Sequence, residues 1–229
     1  MTESSSNVLS FGTITVIGGT GKEGSGLALR WAAAGLDVII GSRQREKGER
    51  VAAELNERLG QDGIRGMDNL SAAEAGQVVV LSVPYAAHRD TLEQIAPGMA
   101  GKVLIDVTVP LNPPKVSQAY VPPEGPAAVQ SQRFLGEDVQ VVAAFQNVSA
   151  VHLADAHHAV DCDVLVCGDS AEAREVAVHL AEIAGMRGVH AGALVNAVAV
   201  ESLTPLLIAV NRRYKINNAG IRITGMPEG

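Results

Sequence analysis

Gly19-Thr20-Gly21-Lys22-Glu23-Gly24 follows directly on the apolar run Ile14-Thr15-Val16-Ile17, and this junction decides the fold. It reads as a buried strand that turns through glycines into a helix. In a dinucleotide-binding turn the first glycine permits the tight bend and the second lets the backbone approach a pyrophosphate. The third lets helix and strand pack closely, so that a phosphate rests against unpaired helix N–H groups. The spacing alone matches many glycine-rich loops; the alternation downstream supports it. The pattern predicts helices over 24–34 and 44–59, with strands over 37–40, 64–67, 78–82 and 103–106. Most of these strands are unbroken apolar runs, as expected where helices cover both faces of a parallel sheet. The expected fold class is α/β, a Rossmann-type doubly wound parallel sheet with a smaller C-terminal α/β lobe.

A chain of 229 residues, 47% hydrophobic and 19% charged, can bury one main domain and a smaller lobe. The expected division is a disordered tail over 1–10, a dinucleotide-binding domain over 11–144 and a C-terminal lobe over 145–229. The first ten residues lack the basic and apolar regions of a signal peptide, and no stretch is expected to span a bilayer, so the reading is a cytoplasmic protein without a membrane partner. Cys162 and Cys167 would face opposite sides of a strand, too far apart to pair, which suits a reducing compartment. The net charge of −7 argues against a nucleic-acid surface, and an anionic ligand must meet local basic clusters. Two such clusters are Arg43-Arg45-Lys47 and Arg212-Arg213-Lys215.

The proline-rich segment 109–126 predicts a long irregular connection. Beyond it the pattern predicts a helix over 127–135, strands over 140–144 and 163–167, and a helix over 170–184 with Ser170 as N-cap. The segment 194–214 carries apolar side chains round nearly its whole circumference and must be buried on several sides, in a homodimer interface or an intramolecular core. Pro205 is expected to kink or split it.

An NAD site places an acidic side chain at the end of the second strand, whereas an NADP site must accept a 2′-phosphate. Here that position holds Gly41-Ser42-Arg43, with no carboxylate before Glu46. Arg43 can pair with the phosphate, Ser42 can donate a hydroxyl and Lys47 adds a point charge one helical turn on. The expected dinucleotide is NADP(H). His152, His157, His158, Asp161, Cys162 and Asp163 lack the paired spacing of common metal sites, so no metal is expected. Glu201, in the apolar helix, is expected to satisfy a buried partner, while His88 lies near the expected cofactor mouth or on the surface.

Val16-Ile17-Gly18-Gly19-Thr20-Gly21, Gly41-Ser42-Arg43, Asp106-Val107-Thr108-Val109-Pro110-Leu111, the run from Ala143 to Ala150, Glu201-Ser202-Leu203-Thr204-Pro205-Leu206 and Ala219-Gly220-Ile221-Arg222 together resemble the NADPH-dependent F420 reductase (F420:NADP oxidoreductase) family. The resemblance covers nearly the whole chain after residue 12 and implies hydride transfer between NADP(H) and the deazaflavin coenzyme F420 by a homodimer. It implies a cleft between the lobes in which two flat rings stack, so no side chain is assigned a catalytic role. The turn residues Gly19, Thr20, Gly21, Lys22, Glu23 and Gly24, with Ser42, Arg43 and Lys47, are expected to hold the dinucleotide. Ser82, Val83 and Pro84 after the fourth strand and Thr108 after the fifth are expected on the nicotinamide side. Asn147, Val148, Ser149 and Ala150, closed over by Ala219 and Gly220, are expected on the deazaflavin side. Backbone N–H groups near Ser149 would face the charge that develops there. His152 is a candidate proton donor or a packing residue, and Arg212, Arg213 and Lys215 are candidates for the coenzyme's acidic tail. The alternatives are an NADPH reductase of another planar acceptor, an imine or a free flavin, and a non-catalytic NADPH sensor.

Overall fold

β1 (Ile14–Ile17), α1 (Lys22–Ala33), β2 (Val38–Ser42), α2 (Arg45–Leu59) and β3 (Ile64–Asp68) form the first βαβαβ unit of a computed structural model that describes residues 11–226. The tail expected over 1–10 lies outside the described residues. The chain continues through α3 (Asn69–Ala75), β4 (Val78–Leu81), α4 (Tyr85–Ile95) and β5 (Val103–Asp106). After the irregular proline-rich connection come α5 (Ala127–Leu135), β6 (Gln140–Ala143), α6 (Ala150–Leu153), β7 (Asp163–Gly168), α7 (Ala171–Ile183), β8 (Arg187–His190) and α8 (Ala197–Tyr214). The eight strands join in one sheet of order β3-β2-β1-β4-β5-β6-β7-β8. Neighbours run parallel except β6 and β7, which are antiparallel.

Every residue of β1, β2 and β4 is buried, as helices on both faces require. One face packs Val16, Leu27, Trp31, Ile40 and Val80 with residues of the C-terminal lobe; the other packs Ile17, Ile39, Val79, Leu81 and Leu104 against α3, α4 and α5. Cys162 belongs to the first cluster and Cys167 to the second, and both thiols are free. The period-two reading that separated them across the sheet thus holds. Ser170 caps α7 as expected, accepting the N–H of Ala173 at 3.2 Å. Three elements lay outside the sequence reading. α3 begins at Asp68, whose carboxylate accepts the Ser71 N–H at 3.0 Å. α4 has a helical burial period in which His88 and Thr91 stand with Leu92 and Ile95, so an apolar stripe was not visible. β8 is a partly exposed edge strand.

Of the two outcomes expected at Pro205, α8 does not split: it is one helix through that residue, and the proline forgoes a single backbone bond to the turn before it. Leu194–Tyr214 also has a mean hydropathy of 1.6, long and apolar enough by length and composition to cross a bilayer, contrary to the reading that no stretch was. In this fold Ala197, Val200, Glu201 and Pro205 are buried, and α8 packs on α5 through the Glu201 carboxylate described below.

Arg30 and Trp31, adjacent on α1, tie the first half of the chain to the second. Trp31 is fully buried, meets Phe145 edge-on with ring centroids 5.9 Å apart and donates its indole N–H to the Leu180 carbonyl at 2.8 Å. The Arg30 guanidinium, also buried, donates to the carbonyl oxygens of Ala184, His152, Asp155 and His158 at 2.6–2.8 Å. It thereby organises the connection between α6 and β7, where the Asp155 carbonyl otherwise accepts only the His158 N–H at 3.3 Å. Arg30→Met keeps the packing stem but strips these acceptors of their donor, and is expected to lower unfolding free energy by about 2–4 kcal/mol in urea titration.

Candidate functional site

The turn between β1 and α1 is shaped by what cannot fit there. Gly18 has φ +77°, and a Cβ on it would stand 2.2 Å from the Ser82 carbonyl oxygen; a Cβ on Gly24 would meet the Gly19 Cα at 2.9 Å. α1 therefore lies against the strand ends with no side chain between. Gly21 differs, since a Cβ there would meet only the Gly18 oxygen at 3.3 Å. It is exposed and is the N-cap of α1, where no side chain caps the helix. The first amides of a twelve-residue helix thus face outward without a side-chain acceptor, a natural seat for phosphate.

A cavity of about 660 Å³ opens at this helix end, beyond the carboxyl ends of β1, β2 and β4. Of the residues expected to hold a dinucleotide, Thr20, Gly21, Ser42, Arg43 and Lys47 line it, and Ser82, Val83 and Pro84 close its far side. Arg45, grouped with Arg43 in the sequence, is instead occupied by Glu49 at 2.9 Å. Among the described residues neither Arg43 nor Lys47 forms an ion pair. Gly19 and Gly24 serve the close packing and do not line the cavity; Lys22 is exposed outside it. Oε1 of the partly buried Glu23 is enclosed without a partner, and burial pushes the carboxyl's pKa up to about 8. Gly18, Gln44, Asn69, Ala87 and Thr91 also line the cavity; the last three lie on α3 and α4, the two helices absent from the sequence pattern.

A second cavity, about 150 Å³, lies beyond the end of β6. Phe145, fully buried, has φ 73°, a strained conformation for an aromatic residue that costs on the order of 1–3 kcal/mol. Its packing on Trp31 holds it there, and the chain reverses so that Gln146, Asn147, Val148 and Ser149 line the cavity. Thr204, Leu207, Ile208 and Asn211 of α8 form the opposite wall, and Asn218 and Ala219 complete it. Asn147, Val148, Ser149 and Ala219 are therefore brought together as expected, while Ala150 and Gly220 stand outside the lining. Ser149 caps α6, and its hydroxyl donates to Asn218 Oδ1 at 2.8 Å. His152 stacks on His158 with ring centroids 4.8 Å apart, and its Nε2 lies 3.4 Å from the Asn218 carbonyl. Arg212 reaches Ser117 Oγ of the proline-rich connection at 3.1 Å, and Arg213 and Lys215 are exposed.

β5 separates the two cavities, and Asp106 at its end links their walls. Its carboxylate, fully buried, bonds His88 Nε2 at 2.8 Å, the Ser131 hydroxyl at 2.6 Å and the Thr108 N–H at 2.9 Å. Its carbonyl accepts the Gln146 side-chain amide at 2.7 Å, and the Gln146 carbonyl accepts the Thr204 hydroxyl at 2.6 Å. Burial alone would raise the Asp106 pKa, but His88, Ser131 and the Thr108 amide outweigh it and hold the carboxyl below its ordinary value. Burial likewise opposes charge on His88, yet Asp106 keeps that imidazole above its ordinary value. His88 is thus an interior residue, neither at the cavity mouth nor on the surface. Thr108 is buried beneath this network and lines neither cavity. Glu201 accepts the N–H groups of Ala127 and Ala128 at 2.9 and 3.1 Å, the buried partner expected of it, although burial raises its pKa to about 7.

Residues 13–110 match the family described as NADP oxidoreductase coenzyme F420-dependent. The chain is 48% identical to the F420-dependent NADP reductase of Methanothermobacter thermautotrophicus, covering 94% of this chain and 96% of that protein. It is 42% identical to the enzyme of the same name from Methanocaldococcus jannaschii, covering 93% and 98%. Among solved structures, a protein of Arthrobacter sp. FB24 superposes with a TM-score of 0.76 at 25% identity, covering 92% of this chain and 98% of that one. A pyrroline-5-carboxylate reductase of Coxiella burnetii has a TM-score of 0.61 at 16% identity, covering 89% and 68%, a likeness of fold alone.

The two kinds of glycine in the turn separate by measurement. Gly24→Ala drives a methyl into backbone and is expected to cost about 2 kcal/mol of stability. Gly21→Ala is expected to stay within about 1 kcal/mol of wild type yet lose at least tenfold in dinucleotide affinity by calorimetric titration, because its methyl stands at the phosphate seat.

Proposed function

Because the chain belongs to the family of F420-dependent NADP reductases, we propose that it transfers hydride between NADP(H) and the deazaflavin coenzyme F420. The observation that carries this reading is the placing of two cavities at one sheet edge, on either side of β5. The residues present fit NADP. Ser42, Arg43 and Lys47 supply a hydroxyl and two cations where an NAD site would carry a carboxylate, and the glycine turn leaves the space a pyrophosphate needs. Both coenzymes, when bound, supply the chemistry themselves, since each carries a hydride at a ring carbon.

The protein's part is placement. α1 offers its free amides to the pyrophosphate, and Arg43 and Lys47 hold the adenosine 2′-phosphate. Ser82, Val83 and Pro84 present a small, largely apolar wall that lets a flat ring lie close and keeps water from it. Asn147, Val148, Ser149 and Ala219, with Thr204 from α8, border the deazaflavin. Residues 11–144 act as the NADP-binding domain, and residues 145–229 complete the second cavity and the interface of a cytoplasmic homodimer. Val198 and Leu206, both exposed on α8, support that interface: an apolar helix face this long is stable in water when a second copy covers it.

NADPH oxidation followed with purified F420, FMN or FAD as acceptor tests the reaction; turnover with free flavin and none with F420 would overturn it. Arg43→Ala is expected to weaken NADPH binding by about 10- to 100-fold, in line with a lost charge-assisted bond, and to leave NADH binding unchanged. Equal losses for both dinucleotides would remove Arg43 from the phosphate site. Sedimentation equilibrium tests the assembly: a dimer is expected for wild type and a monomer for Leu206→Asp, and a wild-type monomer would refute the interface.

A further inference from the structure

The segment that follows α8 folds back over the second cavity, and little apolar burial holds it there. Residues 216–223 are partly or fully exposed throughout. Asn218 is tied to the Ser149 hydroxyl, and the Ala219 N–H donates to Asn211 Oδ1 at 3.0 Å. Arg222 pairs with Asp161 at 3.2 Å, and the Asn218 carbonyl lies 3.4 Å from His152 Nε2. The buried anchor is Asp163, the first residue of β7. Its N–H donates to the Ile221 carbonyl at 2.7 Å, and its carboxylate accepts the Ile223 N–H at 2.6 Å. Arg187 of β8 grips the same carboxylate through Nε at 2.9 Å and Nη2 at 2.5 Å, and reaches the Ile223 carbonyl at 3.0 Å. Arg222 of the segment adds a longer contact to Asp163 at 3.7 Å. The Asp163 carbonyl, in turn, accepts the Asn147 side-chain amide at 2.7 Å. One residue thus fastens a wall of the cavity, Asn147, and its roof, Asn218 and Ala219, while lining the cavity itself with no atom.

We propose that Asp163 and Arg187 are positioning residues for the deazaflavin: their ion pair fixes the C-terminal segment as the roof of the second cavity and so sets affinity for F420 without setting affinity for NADPH. The inference rests on the reading of that cavity as the deazaflavin site. Its physical basis is that a segment with so little buried apolar surface takes its position from its polar anchors. The Asp163 carboxylate is the strongest of these, because it is buried, ionised and shared between a guanidinium and a backbone amide.

The test measures dissociation constants separately, for F420 by the deazaflavin's own fluorescence and for NADPH by calorimetry, together with hydrogen exchange of the ligand-free protein. Three variants serve. Asp163→Asn removes the charge and turns an amide toward donors. Arg187→Lys keeps the charge with fewer bonds. A chain ending at Gly220 keeps Asn218 and Ala219 yet loses the anchored residues, while the Asp163–Arg187 ion pair itself remains. Asp163→Asn and the shortened chain are expected to weaken F420 binding at least tenfold, with Arg187→Lys intermediate and NADPH binding within twofold of wild type. Exchange is expected to accelerate over residues 216–220 in all three variants. F420 binding unchanged in the shortened chain would overturn the proposal, as would parallel loss of both ligands, which would make the pair a support of the whole fold. Failure of wild type to bind F420 would instead overturn the functional reading, and this inference with it.

Discussion

The first helix approaches the sheet so closely that its opening turn tolerates no side chain at Gly18 or Gly24, and the remainder of the binding edge follows from that approach. Because α1 starts hard against the strand ends, its unsatisfied amides project over the edge of the sheet instead of to one side. The ends of β2 and β4 then become the natural borders of whatever those amides bind. Arg43 stands on one border and Pro84 on the other. The same helix carries Arg30 and Trp31, which reach the C-terminal lobe through backbone carbonyls. The contact that makes the phosphate seat therefore also positions the lobe that supplies the second cavity.

Asp106 extends this economy to the second cavity. A carboxylate without solvent must be fully bonded, and His88, Ser131 and the Thr108 amide meet that demand. Its carbonyl meanwhile fixes Gln146. Interior polar bonding here replaces apolar packing, and it does so between the two cavities. The strained turn at Phe145 belongs to the same logic, since it re-aims the chain as β6 ends.

The parts legible in the sequence are those governed by local sterics and local pattern. The glycines of the turn, the missing carboxylate after β2, the apolar runs of the sheet and the Ser170 cap each state their role within a few residues. What escaped the reading was set by tertiary contact. α4 buries His88 and Thr91 where a periodicity argument looks for Leu or Val, so the helix and its contribution to the first cavity were invisible. Thr204 and Asn211 join the second cavity because α8 is carried across the end of β6, and no spacing in the chain announces that crossing. Ala150 and Gly220, adjacent in sequence to lining residues, stand just off the lining because backbone direction changes there. Pro205 does not split α8, because a helix flanked by packing partners absorbs one lost hydrogen bond.

The single antiparallel step in the sheet, between β6 and β7, turns the beginning of β7 toward the edge where the parallel strands finish. The segment after α8 can then pair with the beginning of β7 at that same edge. During synthesis the ribosome releases β1 to β5 long before the residues that cover the second cavity emerge. The second cavity is thus complete only once residues 216–223 have been made, and a product stopped before them keeps the first cavity's lining with an uncovered neighbour.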